Sequence, residues 1–271
     1  MQTNIYVVAH KCFCVDELKL DKCYNIITVG KKAEECQNQM NALTDSKGEN
    51  ITEKNENYCE LTAQYWYWKN DNISDVVGLC HYRRYFTRYQ ISKSTNGILK
   101  EKDIKKILLK YDVIVPQKEY SCRGAYKAYL DCGYEKDLEA LEEVIKNYFC
   151  EYMPEYIKYF KLSAGNFPAN MYITRKEISD EYSKWLFEVL LEVEKKIDIS
   201  KYSTQEARVF GYMSERLLGV WLYHNGYKMK KVRIINTEEK VSLKWYLLEI
   251  LKKIKIYQEI KILIFQFKRG R

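Results

Sequence analysis

Residues 75–86, DVVGLCHYRRYF, place His81, Tyr82, Arg83 and Arg84 directly after an apolar, β-branched run. A guanidinium matches phosphate or carboxylate oxygens with two parallel hydrogen bonds, so an arginine pair at a strand exit suits an anionic ligand. In open α/β sheets ligands bind outside the carboxyl ends of the strands, where this pair falls. If the extended geometry persists, His81 and Arg83 face one way and Tyr82 and Arg84 the other. The plainer reading is a surface ion-pair cluster. A second group, Asp45, Asn50, Lys54 and Asn55, crowds donors and acceptors into a polar loop before a helical stretch. Free N–H groups and the dipole at a helix start favour phosphate, and Lys54 is placed to neutralise a diphosphate oxygen. A third group lies in 203–227, STQEARVFGYMSERLLGVWLYHNGY. There Arg208, Tyr212, Glu215 and Gly219 share a row about 200° from the stripe of Phe210, Met213, Leu217 and Val220. Glu215 is a candidate general base, since a positioned carboxylate takes the proton of an attacking hydroxyl. The plainer reading is an ordinary helical glutamate beside arginines.

These residues need a frame. IYVVA (5–9), NIITV (25–29), VVGLCHY (76–82), YDVIVP (111–116), ANMYIT (169–174) and VRIIN (232–236) read as buried strands. Between them lie helical periods. Leu138, Leu141, Ile145 and Tyr148 are spaced 3, 4 and 3 apart, and Trp185, Val189 and Val193 form a row within 177–197. In 58–68, Tyr58, Leu61, Tyr65 and Trp68 form a stripe, with Asn57 and Glu60 as its expected capping box. Gly226 is the expected stop of the helix that begins near Gln205. The alternation predicts an α/β domain with a mostly parallel sheet flanked by helices. Residues 38–57 and 87–100 are expected to be loops.

The formal net charge is +8, and nine basic residues against only two acids from Lys240 onward account for nearly all of it. A nucleic-acid binder carries its positive charge on the folded body, so nucleic acid is not an expected partner. In this tail Leu243, Leu247, Ile250, Ile254 and Tyr257 repeat at helical spacing, with lysines at 244, 252, 253 and 255 between them and Trp245 and Tyr246 near its start. That pattern fits a basic amphipathic helix on an anionic membrane, and equally a C-terminal helix packed on the domain with solvated lysines. The nine cysteines form no CxxC pair or zinc spacing, and reduced thiols in the cytoplasm are expected. The opening MQTNIYVVAH lacks a cleavable secretory pattern, and no apolar run is long enough to span a bilayer. Walker, GxGxxG, HExxH and GxSxG motifs are missing, as is a DxD pair at a strand end, so no metal or cofactor is expected.

NITEKNENYCELTAQYWYWKN followed by VGLCHYRRYF resembles a bacterial family long catalogued as a domain of unknown function. Its members occur in capsule, exopolysaccharide and O-antigen loci and are regarded as glycosyltransferases, some associated with galactofuranosyl transfer. IYVVAHK, YDVIVPQKEY, NMYITRKE and RVFGYMSERLLGVWL are similar to further blocks of the pattern, in order, over residues 4–237. YLDCGYE (129–135) departs from it, since the family pattern implies a histidine there.

The resemblance implies a GT-A-like, Rossmann-type domain over residues 1–237; it does not cover residues 238–271, which charge and spacing make a basic amphipathic tail. It implies transfer of a sugar from a UDP-sugar, such as UDP-galactofuranose or UDP-galactose, to a lipid-linked oligosaccharide. Arg83 and Arg84, with His81, would stand where metal-dependent relatives place DxD and would hold the diphosphate. Asp45, Asn50, Lys54 and Asn55 would help bind the donor, and Asn170, Arg208 and Tyr212 the substrate. Glu215 would be the base of an inverting displacement. Such an enzyme would work at the inner face of the cell membrane. The rival expectation is a non-catalytic module that docks on membrane or nucleic acid through its tail.

Overall fold

The computed structural model describes residues 1–31, 33–92, 94–239, 242, 247, 250 and 255–269. β1 (Thr3–Ala9) and β2 (Tyr24–Thr28) come first, then α1 (Ala33–Met40) and the two-residue β3 (Leu43–Thr44). Helices α2 (Asn55–Tyr58) and α3 (Leu61–Asn70) lead to β4 (Val76–His81), which turns straight into β5 (Arg84–Thr87). Next come α4 (Glu101–Leu108), β6 (Val113–Pro116), β7 (Glu119–Tyr120), α5 (Gly124–Tyr129) and α6 (Glu135–Tyr148). A short α7 (Met153–Glu155) runs into a π-helical stretch, Tyr156–Lys161, before β8 (Gly165–Asn166) and β9 (Tyr172–Arg175). The long α8 (Lys176–Glu194), α9 (Val209–His224), β10 (Met229–Asn236) and α10 (Lys255–Arg269) follow.

Each strand read from the sequence has its counterpart, but the sheet is mixed rather than mostly parallel. β3, β2, β1 and β4 run parallel side by side. β9 then lies antiparallel between β4 and β6, and β10 runs parallel to β6 and antiparallel to β5. A short apolar run carries no direction, so the sequence pattern could not reveal that β9 is inverted. The consequence matters for function. The carboxyl ends of β1, β2, β4, β6 and β10 meet the start of β9 along one edge of the sheet.

Alternation along β1 shows why the sheet is buried on both faces. Tyr6 and Val8 join one core with α3, α6, α8 and α9. Ile5, Val7 and Ala9 join the other, with Leu18 and with Ile104 and Leu108 of α4. On α8 the expected row of Trp185, Val189 and Val193 is buried, together with Ile178, Tyr182 and Leu186. Each such side chain contributes on the order of 2 kcal/mol. On α6 Leu138, Leu141 and Ile145 are buried, but Tyr148 is exposed, because the helix ends there. Gly78 lets β9 approach β4: a Cβ there would sit 2.8 Å from the Tyr172 carbonyl oxygen.

Three local expectations change. The Asn57–Glu60 capping box does not form, because Cys59 takes a left-handed φ of 55° and breaks the chain into α2 and α3. The strand does not continue through His81–Arg84, because Tyr82 and Arg83 form a hairpin turn that sets His81 directly opposite Arg84. Cys12 and Cys36 form a disulfide, since the fold brings the loop after β1 against α1. The other seven cysteines are free, but the pair removes the cysteine argument for a reducing compartment.

Most of the tail pattern, including Leu243, Lys244, Trp245, Tyr246, Lys252, Lys253 and Ile254, lies outside the described residues. The described helix α10 touches the domain: Lys261 Nζ donates to the Tyr120 carbonyl oxygen (3.1 Å), and the Phe265 ring lies over Gly124. Ile260, Leu263, Ile264 and Phe267 are exposed. Among the described residues no helix is long and apolar enough to cross a membrane.

Candidate active site

The turn before β9 organises the sheet edge. Ala169 and Asn170 both have left-handed backbones, with φ of 66° and 50°. Non-glycine residues hold that conformation only where the surroundings fix it, and functional sites concentrate such strain. Here the surroundings are three ionisable side chains. His81 Nε2–H donates to the Ala169 carbonyl oxygen (2.7 Å), and the Ala169 N–H donates to Glu215 Oε1 (2.9 Å). Asn170 Nδ2 donates to Glu60 Oε1 (2.7 Å) and to the Gly211 carbonyl oxygen, while its Oδ1 accepts from Ser214 Oγ. One turn thus fixes a histidine from β4, a glutamate from the α2–α3 break and a glutamate from α9.

Glu215 sits on a helix that is almost wholly buried, and a quarter of its own side chain is exposed. Burial pushes its pKa up to about 7, against the pull of the Arg216 guanidinium (3.1 Å) and with a further push from Glu60. A carboxylate poised near neutrality is the expected state of a general base or acid. Arg216 is 7% exposed and also donates to the Tyr212 carbonyl oxygen.

Positive charge gathers at the neighbouring strand ends. Burial, then Arg83, Lys11, Arg208 and His81, push the His10 imidazole below its ordinary pKa. Burial likewise lowers that of His81, opposed by Glu60 and reinforced by Arg84 and Arg83. Two largely neutral imidazoles and several fixed cations therefore share this edge. Arg84 lies across the hairpin from His81, and residues directly opposite in an antiparallel pair point to the same face. Arg83 and Lys11 share one acid, Glu238, at 3.1 and 2.9 Å. Both pairs are exposed, so a stronger anion can displace Glu238 at little cost. Arg208 Nε–H donates to Cys59 Sγ (3.1 Å), and its guanidinium lies over the Tyr212 ring. Burial holds the Cys59 thiol at about 11, so it is no activated nucleophile.

The structure therefore brings together His81, Arg83, Arg84, Asn170, Arg208, Tyr212 and Glu215. Of the expected loop residues, Asn55 lies beside Cys59, the contact of Arg208, and the other three are engaged within their own loop or with α8. Lys54 pairs with Glu194 at the end of α8 (2.6 Å). Asp45 is buried, accepts from Thr52 Oγ1 (2.7 Å), and has its pKa raised by burial. Asn50 ties its own loop through the Ser46 and Gly48 carbonyl oxygens. Asn55 donates to the Cys59 carbonyl oxygen and to Thr62, which supports the helix break. Residue spacing missed His10, Glu60 and Arg216. His10 directly follows β1 much as His81 ends β4, and that position was its one signal. Among the described residues no three His, Cys, Asp or Glu side chains gather as a metal-binding set.

No curated protein matches the sequence. Among solved structures, the fold is similar to the apo structure of the bifunctional glycosyltransferase WbbM, with a TM-score of 0.76 and 29% identity. The likeness covers 88% of this chain and 46% of that one, so this chain spans about half of its length. Residues 4–226 match the family described as a domain of unknown function, DUF4422. With most of its length inside that match, the chain belongs to the DUF4422 family.

Proposed function

We propose that the chain is an inverting glycosyltransferase that takes a sugar from a UDP-sugar, UDP-galactofuranose or UDP-galactose, to a lipid-linked oligosaccharide in surface-polysaccharide assembly. The observation that carries this reading is the pairing of a half-buried glutamate of pKa about 7 with a cation cluster at the carboxyl ends of parallel strands. The likeness to WbbM supports the reaction class.

In this reading the donor diphosphate takes the place of Glu238 beside Lys11 and Arg83, with Arg84 and Arg208 nearby. Fixed cations stabilise the charge that develops on the leaving diphosphate, and no divalent ion is required. Glu215 takes the proton of the acceptor hydroxyl as it attacks the anomeric carbon. The Ala169 N–H and Arg216 hold one carboxylate oxygen each, which fixes its orientation. Asn170 positions Glu60, and Tyr212 and Arg208 line the acceptor side. The chain works at the inner face of the membrane, where nucleotide-sugar and lipid-linked acceptor meet, and the apolar outer face of α10 supports that placement.

The test is a panel of UDP-sugars assayed for thermal shift and UDP release, with and without EDTA. A donor that raises the melting temperature and is turned over in EDTA supports the proposal. No stabilisation by any member of the panel removes it.

A further inference from the structure

A cavity of about 700 Å³ lies between the segment after β6, strand β10 and the inward face of α10. Its walls include Lys118, Glu119 and Tyr120, Arg233 of β10, and Tyr257 and Lys261 of α10. Glu119 also acts on Glu215, raising its pKa, so the cavity opens within electrostatic reach of the candidate base. Among these side chains three are cationic and one is acidic.

Lys118 is the informative member. Its Nζ lies 5.1–5.7 Å from the ring centroids of Tyr159, Phe167 and Tyr223. Among the described residues no carboxylate pairs with it. Burial, with Lys231 nearby, pushes its pKa down to about 8. Aromatic faces offset only part of the cost of burying an ammonium, so an incoming anion would be bound with unusual gain. The other two cations are already held in place. Arg233 donates to the Ser92 carbonyl oxygen (3.0 Å) and Lys261 to that of Tyr120 (3.1 Å). On α10, Tyr257, Lys261 and Phe265 turn inward, whereas Ile260, Leu263, Ile264 and Phe267 face out.

We propose that this cavity binds the phosphate or diphosphate group that ties an acceptor glycan to its lipid carrier, with Lys118, Arg233 and Lys261 as its ligands. The site is distinct from the donor cluster and rests on the glycosyltransferase reading for its role. The anionic link sits under α10, the lipid chain leaves along the apolar outer face of that helix, and the glycan extends past Glu119 toward Glu215.

Calorimetric titration of the full chain with farnesyl diphosphate, inorganic pyrophosphate and UDP tests this. Lys118→Met keeps the length of the side chain in its aromatic surroundings, and Lys261→Gln alters a half-exposed position that leaves the core alone. Each is expected to weaken farnesyl diphosphate about tenfold, the loss of one charge-assisted hydrogen bond, while UDP affinity stays within about twofold. Arg83→Ala is expected to do the reverse. Farnesyl diphosphate should also bind more tightly than pyrophosphate, and equal affinities would overturn the lipid-linked assignment. Unchanged farnesyl diphosphate affinity in folded Lys261→Gln protein would overturn the site itself. If UDP does not bind at all but farnesyl diphosphate still depends on Lys118, the donor reading falls and the cavity site stands.

Discussion

Glu215 is an acid whose proton is set by the burial of its helix, and two outcomes follow from that. As a base it must be ionised, so the transfer rate should rise with pH through about 7 and then level off, read from kcat/KM profiles. Glu215→Gln should keep UDP binding and lose transfer by roughly 10²–10⁴-fold. The same group marks stability with a definite sign. Its folded pKa lies above its ordinary value, so its contribution is full below about pH 4.5 and is lost as pH rises through about 7. Glu215→Gln should therefore be more stable than the parent at pH 8, by on the order of 2 kcal/mol, with the difference vanishing near pH 4 in urea unfolding. Glu238 gives a third outcome. It occupies Lys11 and Arg83, so Glu238→Gln should tighten UDP binding several-fold, roughly the worth of an exposed pair, in the same titrations. At this scale the sequence was partly legible. Arginines after a buried strand and a glutamate off the apolar stripe announce themselves by type and place. Lys54 misled because a flexible lysine takes whichever carboxylate the fold supplies, here Glu194. Glu60 and Arg216 stayed hidden because their roles depend on partners about 110 residues away or on the depth of α9.

At the scale of elements, the site depends on three departures from regular structure: the break at Cys59, the hairpin at Tyr82–Arg83 and the left-handed pair Ala169–Asn170. Each turns a side chain toward the same edge. Asn170→Ala should lower stability by about 3 kcal/mol, because Ser214, Gly211 and Glu60 lose a partner in a buried place, and denaturant midpoints measure it. Gly78→Ala should cost about 2–3 kcal/mol by forcing β4 and β9 apart, with the Tyr172 carbonyl oxygen in the way. Helices and strands were legible because burial imprints a period on sequence. The departures were not, because a left-handed alanine, asparagine or cysteine is imposed by distant contacts and leaves no local mark. The inverted β9 stayed hidden for the related reason that pairing direction is a property of neighbours.

The whole molecule sets two basic features on one edge. Cations and a poised carboxylate line the strand ends, and α10 covers a basic cavity while presenting apolar residues outward. Truncation after Asn236 should abolish binding to anionic liposomes and retain UDP binding, tightened several-fold because Glu238 leaves with the tail and frees Lys11 and Arg83. Loss of the cooperative unfolding transition on truncation would instead make the tail part of the core. The charge asymmetry between body and tail was plain in the sequence, whereas the way α10 seats on the domain rested on Gly124 and Tyr120, which no periodicity singles out. The most direct test of the central claim is a crystal structure with UDP, soaked with and without Mn²⁺. The account predicts the two phosphates within hydrogen-bond reach of Arg83 in both soaks, with Glu238 displaced. A diphosphate bound elsewhere, or bound only through a carboxylate-held manganese, would contradict it.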